Sequence, residues 1–337
     1  MDMPDPRTTQ HFGFLLLPRF ALMSYAAATE PLRAANLLAG LPLYRVTAFS
    51  ADGAPARASS GLSIPCATLP APDLHTLFVC AGGGPEDWRQ PEIPLQLRHL
   101  ARLGVRLGGI SGGAFLLAAA GLLAGRDFTI HWEHAPALAE AFPDITPRPA
   151  RYVLDGDRIT CGGGVAPLDM MNALIGERMG GGFARRVSDW YLHTAISEPG
   201  DPQRASAAER YGTHHPALLA ALEAMEATLE TPLSRAAVAQ RAGISVRHLD
   251  RLFALHFATT WHATYLRLRL AQAARLLRQS PLSLVQIAFA TGFSSASHFA
   301  RAFRDAHGTS PGAWRRRRDT APPNARADAA GPPAGDH

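Results

Sequence analysis

The chain has no lysine: all 33 of its basic residues are arginine. Set among so much Ala, Gly and Pro, this reflects a GC-rich coding sequence rather than a function. Cysteine is scarce too. Cys66, Cys80 and Cys161 are the only three; they form no metal-ligand spacing and argue against a disulfide framework. No segment approaches the roughly 20 apolar residues of a membrane span, and the longest apolar run, Ala114 to Ala124, reads as a buried helix. The opening residues MDMPDPRTTQ offer neither the cationic nor the apolar region of a secretory leader. The cytoplasm is therefore the expected location. What is present is length: 337 residues suffice for two domains with proper cores.

The most informative stretch runs from Pro281 to Trp314, PLSLVQIAFATGFSSASHFARAFRDAHGTSPGAW. Ser283 is a good N-cap, and Val285, Ile287 and Ala288 carry an apolar face to Thr291. Gly292 suits the left-handed turn that ends a helix. Phe293 follows, Ser294 or Ser295 caps the next helix, and that helix runs to about His307. On a helical wheel Phe303 falls about 40° from Phe299, while Ser297 and Arg301 lie roughly 160–200° away. The pattern predicts a helix-turn-helix with two buried aromatics and an outward hydroxyl and guanidinium, a face suited to a DNA major groove. An ordinary helical hairpin with a solvated Arg is the plainer alternative.

A repeat favours the first reading. VAQRAGISVRHLDRLF upstream parallels IAFATGFSSASHFARAF. Ala239 matches Ala288, Gly243 matches Gly292 and Ser245 matches Ser294. With one inserted residue, Leu249, Arg251 and Phe253 match Phe299, Arg301 and Phe303, and Arg247 matches Ser297. Charge follows the repeat. Between Ala217 and Arg318, 14 arginines stand against 5 acidic residues, a net +9; the whole chain carries +5, so the remainder carries −4. A basic half joined to an acidic half is the electrostatic footprint of nucleic-acid binding confined to one domain.

Residues 215–318 resemble the double helix-turn-helix DNA-binding domain of AraC/XylS-type transcriptional regulators, and GFSSASHFARAFRDAHGTSP resembles that family's signature nearly throughout. Ala258 and Trp261 depart from the Gly and Pro usual in the first unit. The resemblance implies DNA contacts from Arg247, His248, Arg251, Ser295, Ser297, His298, Arg301 and Arg304; the run Arg315–Arg318 is a candidate for phosphate contact by its charge alone.

Residues 10–195 alternate between strand-like and helix-like stretches. Strands are expected at 11–17, 43–50, 74–80 and 105–110, at FTIHW and in the hairpin RYVLDGDRITC. Helices are expected at about 25–38, 91–103, 114–125, 134–142 and 167–179, and a turn or hairpin at 51–62. This is the pattern of a three-layer α/β domain over a parallel sheet, whose ligands sit at the carboxyl ends of the strands. Those ends carry Gly82–Gly84, Ser111, His131 and Gly162–Gly164. Residues 196–214 read as a linker, and 319–337 as a disordered tail.

GISGG at 109–113 fits G-x-S-x-G, a sharp turn that presents a hydroxyl. Ser111, His131 and Glu30 would complete a serine-hydrolase set, with backbone N–H groups of Gly82, Gly83 and Gly112 as an oxyanion hole. The region also resembles the class I glutamine-amidotransferase-like, ThiJ/PfpI-related sensor domain fused to AraC-type regulators. In that family's enzymes the elbow residue is a reactive Cys; here it is Ser111, so the resemblance implies ligand sensing without catalysis. The implied fold is a flavodoxin-like α/β domain followed by an all-α domain.

The expected effector site comprises Glu30, Gly82, Gly83, Ser111, Gly112, His131 and Trp132, with no metal or cofactor. Trp88 and Trp132 would supply aromatic faces or simply pack the domain, and His131 has a plain core role as its alternative. IHWEH, CGGGVAPLDMMNALIGERMGG and ISEPGDPQR resemble the subgroup that controls use of quaternary amines and amino-acid-like compounds such as glycine betaine, carnitine or arginine. The expected partners are promoter DNA, a small effector, a second copy of the chain and, for an activator, RNA polymerase.

Overall fold

A computed structural model describes residues 8–69, 71, 73–84, 87–280 and 282–320. The expected tail lies, beyond residue 320, outside the described residues. The chain separates after Gln203 into two compact units.

The first unit contains β1 (Gln10–Leu16), α1 (Leu22–Ala39), β2 (Tyr44–Ser50), β3 (Ala56–Arg57), β4 (Ser63–Ile64), β5 (Ala67–Thr68), β6 (Thr76–Ala81), α2 (Glu92–Arg102), β7 (Arg106–Ser111), α3 (Gly113–Ala119), α4 (Ala135–Ala141), β8 (Tyr152–Asp155), β9 (Arg158–Cys161), α5 (Ala166–Met179) and α6 (Gly181–Trp190). Seven strands form one sheet in the order β5-β2-β1-β6-β7-β9-β8; only the edge strand β8 is antiparallel to its neighbour. The turn or hairpin expected at 51–62 is a hairpin of β3 and β4 that ends two residues later, at Ile64.

Continuous apolar strands bury both faces. Phe12, Phe14 and Leu16 of β1 join one core with Leu32, Met171, Ile175 and Val187 from α1, α5 and α6. Leu15 and Leu17 join the opposite core with Leu97, Leu100, Leu116 and Leu117 from α2 and α3. The three-layer expectation holds, and the strand ends gather along one edge.

Four expectations change. FTIHW pairs with no strand; the Thr129 N–H donates to Thr160 Oγ1 at 2.8 Å, and its hydroxyl lies 2.8 Å from each of the Arg148 and Ala150 carbonyl oxygens, sharing one proton between them. The helix expected over 114–125 starts at Gly113 and stops after Ala119. Helix α6 was not anticipated. The segment expected to begin a linker at 196 stays with the first unit through Gln203.

The second unit contains α7 (Ala207–Tyr211), α8 (Pro216–Glu226), α9 (Arg235–Arg241), α10 (Val246–Phe257), α11 (Trp261–Gln279), α12 (Leu284–Ala290), α13 (Ala296–His307) and α14 (Pro311–Thr320). It has two small cores. Leu218, Leu222, Met225, Val238, Leu249 and Phe253 form one; Leu277, Ile287, Ala288, Phe293, Phe299 and Phe303 form the other. The long helix α11 contributes to both, with Tyr265 in the first and Leu270 and Ala273 in the second.

Candidate functional site

The two helix-turn-helix copies are built alike. Ser245 caps α10 by accepting the His248 N–H, and Ser295 caps α13 by accepting the His298 N–H, each at 3.2 Å. Ser245 therefore corresponds to Ser295, not Ser294, and Ser294 is the inserted residue. Both helices have 12 residues. Leu249 and Phe253 are buried in α10, as Phe299 and Phe303 are in α13. Arg247, Arg251, Ser295, Ser297, His298, Arg301 and Arg304 are exposed and His248 is half-buried. Among the described residues none of the four arginines has an ion-pair partner, which leaves their guanidinium groups available to an acceptor.

The turns are equally matched. Gly243 and Gly292 both take positive φ, 66° and 75°. After the second helix of each copy, Ala258 at φ 50° stands where Gly308 stands at 66°. The Ala258 N–H reaches Ala254 O at 3.1 Å, as that of Gly308 reaches Arg304 O at 2.8 Å. The departure at Ala258 thus leaves the turn unaltered, and Trp261 takes the first helical position that Pro311 takes in the second copy.

Two residues the sequence did not single out fix these copies on α11. Tyr265 Oη donates to Thr228 O and accepts the Leu233 N–H. Arg269 Nε donates to Thr291 O at 2.8 Å while its guanidinium lies 4.2 Å from the Phe293 ring centre. One expectation is corrected. Arg315 turns inward to donate to Leu282 O, and burial lowers its pKa, so it is not a free phosphate contact. Arg316 is exposed, and the side chains of Arg317 and Arg318 lie outside the described residues.

In the first unit Ser111 ends β7 at φ 59°, the strained geometry of an elbow. The His131 N–H donates to Ser111 O at 3.3 Å, and Gly163 lies against the Ser111 side chain. Gly164 N–H is held by Ser24 Oγ at 2.8 Å. Ser111, His131 and the 162–164 loop are therefore gathered at the strand ends. Beneath them, burial raises the Cys161 thiol pKa to about 12 and pushes that of Cys80 well above its ordinary value. Both remain thiols in the core.

A hydrolase arrangement is not formed. Among the described residues Ser111 Oγ has no hydrogen-bond partner. His131 Nδ1 accepts the Glu133 N–H at 3.2 Å, and burial lowers the ring's pKa. A neutral imidazole whose Nδ1 is an acceptor carries its proton on Nε2, so Nε2 is a donor and has no lone pair to take a serine proton. Glu30 is bound by Arg33 at 2.7 Å and lies beside Tyr191 Oη, and it contacts neither Ser111 nor His131. The Gly112 N–H donates to Ala81 O at 3.0 Å, which removes it from the oxyanion hole that the sequence suggested.

Gly82 packs on the Arg19 carbonyl, and Gly83 turns beside Asp87. Trp88 is a packing residue. It is buried, donates from Nε1 to Gly82 O at 2.6 Å and fills the space where Gly112 lacks a side chain. Trp132 is half-buried, its ring 5.5 Å from that of His131.

A parallel α/β unit with an elbow but no assembled base, followed by two matched arginine-bearing helices, defines a regulator of the sensor-plus-DNA-reader class. Comparisons with known proteins agree. A family model described as a helix-turn-helix domain matches residues 238–317, and one for the DJ-1/PfpI family matches residues 14–177. The chain is 62% identical over 316 residues to the HTH-type transcriptional regulator GlxA of Rhizobium meliloti, covering 93% of this chain and 98% of that one. It is 41% identical to the HTH-type transcriptional regulator CdhR of Pseudomonas aeruginosa, covering 90% of each. The crystal structure of an AraC family transcriptional regulator from Pseudomonas putida superposes with a TM-score of 0.51 at 30% identity, covering 54% of this chain and 99% of that one. The chain belongs to the AraC-type HTH transcriptional regulators that carry an N-terminal DJ-1/PfpI domain. Among the described residues no helix is long and apolar enough to cross a membrane, and no cluster of His, Cys, Asp or Glu is arranged to hold a metal.

Proposed function

We propose that the first unit binds a small zwitterion at Ser111, His131 and Trp132, and that occupancy governs how the second unit engages promoter DNA through α10 and α13. The observation that carries this reading is the hydrogen bond from the Glu133 N–H to His131 Nδ1. It makes His131 a donor, suited to a ligand carboxylate and unsuited to general-base catalysis. Ser111 Oγ is a second uncommitted polar group, and the Trp132 ring supplies a face for an ammonium group. Protomers pair on DNA, and RNA polymerase is the further partner where the regulator activates.

Thermal denaturation of the full chain with glycine betaine, carnitine or arginine tests this. One of them raises the melting temperature, and Trp132→Ala abolishes the shift while circular dichroism stays unchanged. Ser111→Ala weakens binding by no more than one neutral hydrogen bond, about 0.5–1.5 kcal/mol. An acyl adduct on Ser111, or esterase or amidase activity lost in Ser111→Ala, would overturn the non-catalytic reading.

A further inference from the structure

The last residue of the first unit is not a passive tether. Gln203 inserts its side chain among the 129–132 segment, Ala150 and Gly162. Its Nε2 lies 3.0 Å from Thr129 Oγ1, 2.9 Å from Ile130 O and 2.6 Å from Ala150 O. Its Oε1 accepts the Trp132 N–H at 2.8 Å. The amide thus brackets His131, binding the residue on each side. Gly162 has no side chain where this amide passes: a Cβ there would sit 2.6–2.9 Å from the Gln203 carboxamide atoms.

The approach to Gln203 is anchored as well. Asp169, fully buried, receives Arg151 at 2.7 Å, His193 Nε2 at 2.7 Å and the Ser197 N–H at 3.0 Å. Pro199 O accepts the N–H groups of Arg151 and Tyr152. Residues 193–199 are therefore fixed independently of Gln203, and after Gln203 the chain passes at once to exposed Arg204 and the second unit.

We propose that Gln203 is a positioning residue that sets the His131–Trp132 backbone and, through the same four contacts, latches the end of the first unit, from which the chain runs into the DNA-binding unit, at the effector site. A ligand that draws His131 or Trp132 toward itself changes the acceptors and the donor that Gln203 needs, so occupancy is carried to Arg204 through one side chain. The coupling to effector rests on the sensing function proposed above; the latch does not.

Two variants of the full chain separate it from a merely structural role. Gln203→Met keeps the length of the side chain and removes all four contacts. Gly162→Ala leaves Gln203 in place but occupies the position of its carboxamide, and Gly162 does not have the positive φ that would strain an alanine. Trypsin cleavage after Arg204, measured against cleavage after Arg102 and Arg126 in the same chain, reads the latch. Reporter transcription with and without glycine betaine, carnitine or arginine reads the coupling.

Both variants are expected to raise the Arg204 cleavage rate about tenfold or more, as loss of one or more net hydrogen bonds allows, with the two reference sites unchanged. For a compound to which the wild type responds, the ratio of output with and without it falls toward one. Cleavage at Arg204 that stays at the wild-type rate in whichever variant is folded overturns the latch. Faster cleavage with an intact response ratio overturns the coupling role. If the wild type responds to none of the compounds, the sensing function fails, and the cleavage rates still decide the latch.

Discussion

Alanine at the turn glycines distinguishes two copies of one motif by their surroundings. Gly243 and Gly292 share the left-handed backbone, so alanine costs about 1–2 kcal/mol at either on conformational grounds. Around Gly243 there is open space, whereas a Cβ at Gly292 would lie 2.5 Å from the Pro232 ring and 2.6 Å from the Leu229 carbonyl. That carbonyl is held close to the segment that Tyr265 pins through Thr228 and Leu233, so it cannot withdraw freely. Overpacking adds about 1–3 kcal/mol. Gly292→Ala is expected to lose about 2–5 kcal/mol and Gly243→Ala about 1–2 kcal/mol. Urea denaturation of a 204–320 fragment, followed by Trp261 and Trp314 fluorescence, gives both values if the two slopes agree. Gly292→Ala should also weaken binding to a complete operator, because the displaced contact joins the two copies whose helices must fit the DNA together. Equal losses for the two variants would refute the packing argument.

Three further outcomes follow from particular residues. Ala258→Gly relieves a positive φ at some cost in unfolded-chain entropy, and should raise the fragment's stability by about 0.5–1 kcal/mol in the same titration. Arg251→Ala and Arg301→Ala should each reduce specific affinity by about 1–3 kcal/mol in fluorescence anisotropy, with relaxed preference in one half-site. Burial and the neighbouring His131 lower the His134 pKa to about 3. The unfolded chain takes up this proton as pH falls below about 6.5 and the folded chain does not, so stability complete above that pH declines by about 2 kcal/mol by pH 5. His134→Phe should flatten that decline in urea midpoints measured at pH 7.5 and pH 5.

The DNA-binding unit was legible because its signals are local. Caps at Ser283 and Ser295, turn glycines and the Phe299–Phe303 spacing are each set within a few residues, and the repeat states them twice. The register of the repeat slipped by one at Ser294, since two adjacent serines are equally good caps in sequence and only the backbone selects Ser295. Val285 was expected on the apolar face but is half exposed; a seven-residue helix buries too narrow a stripe to include it. Strand ends were found through their glycines and the Ser111 elbow. Contacts between distant segments were not. FTIHW has strand composition, yet its bonds are scattered over Ser111, Arg148, Ala150, Thr160 and Gln203 instead of forming a ladder. The competition of Arg33 for Glu30, of Ala81 for the Gly112 N–H and of Glu133 for His131 Nδ1 leaves no local pattern. Gln203 lies within ISEPGDPQR, where the surrounding Pro, Gly and charge read as linker.

The central claim is that DNA recognition resides in the second unit and is delivered by α10 and α13. Site selection from random duplexes with a 204–320 fragment and with a 1–203 fragment tests it most directly. The 204–320 fragment should enrich a site with two contacted segments about one helical turn apart, roughly 34 Å, and Arg251→Ala and Arg301→Ala should each erase preference in a different segment. Enrichment by the 1–203 fragment alone, or a site from 204–320 that neither substitution alters, would contradict it.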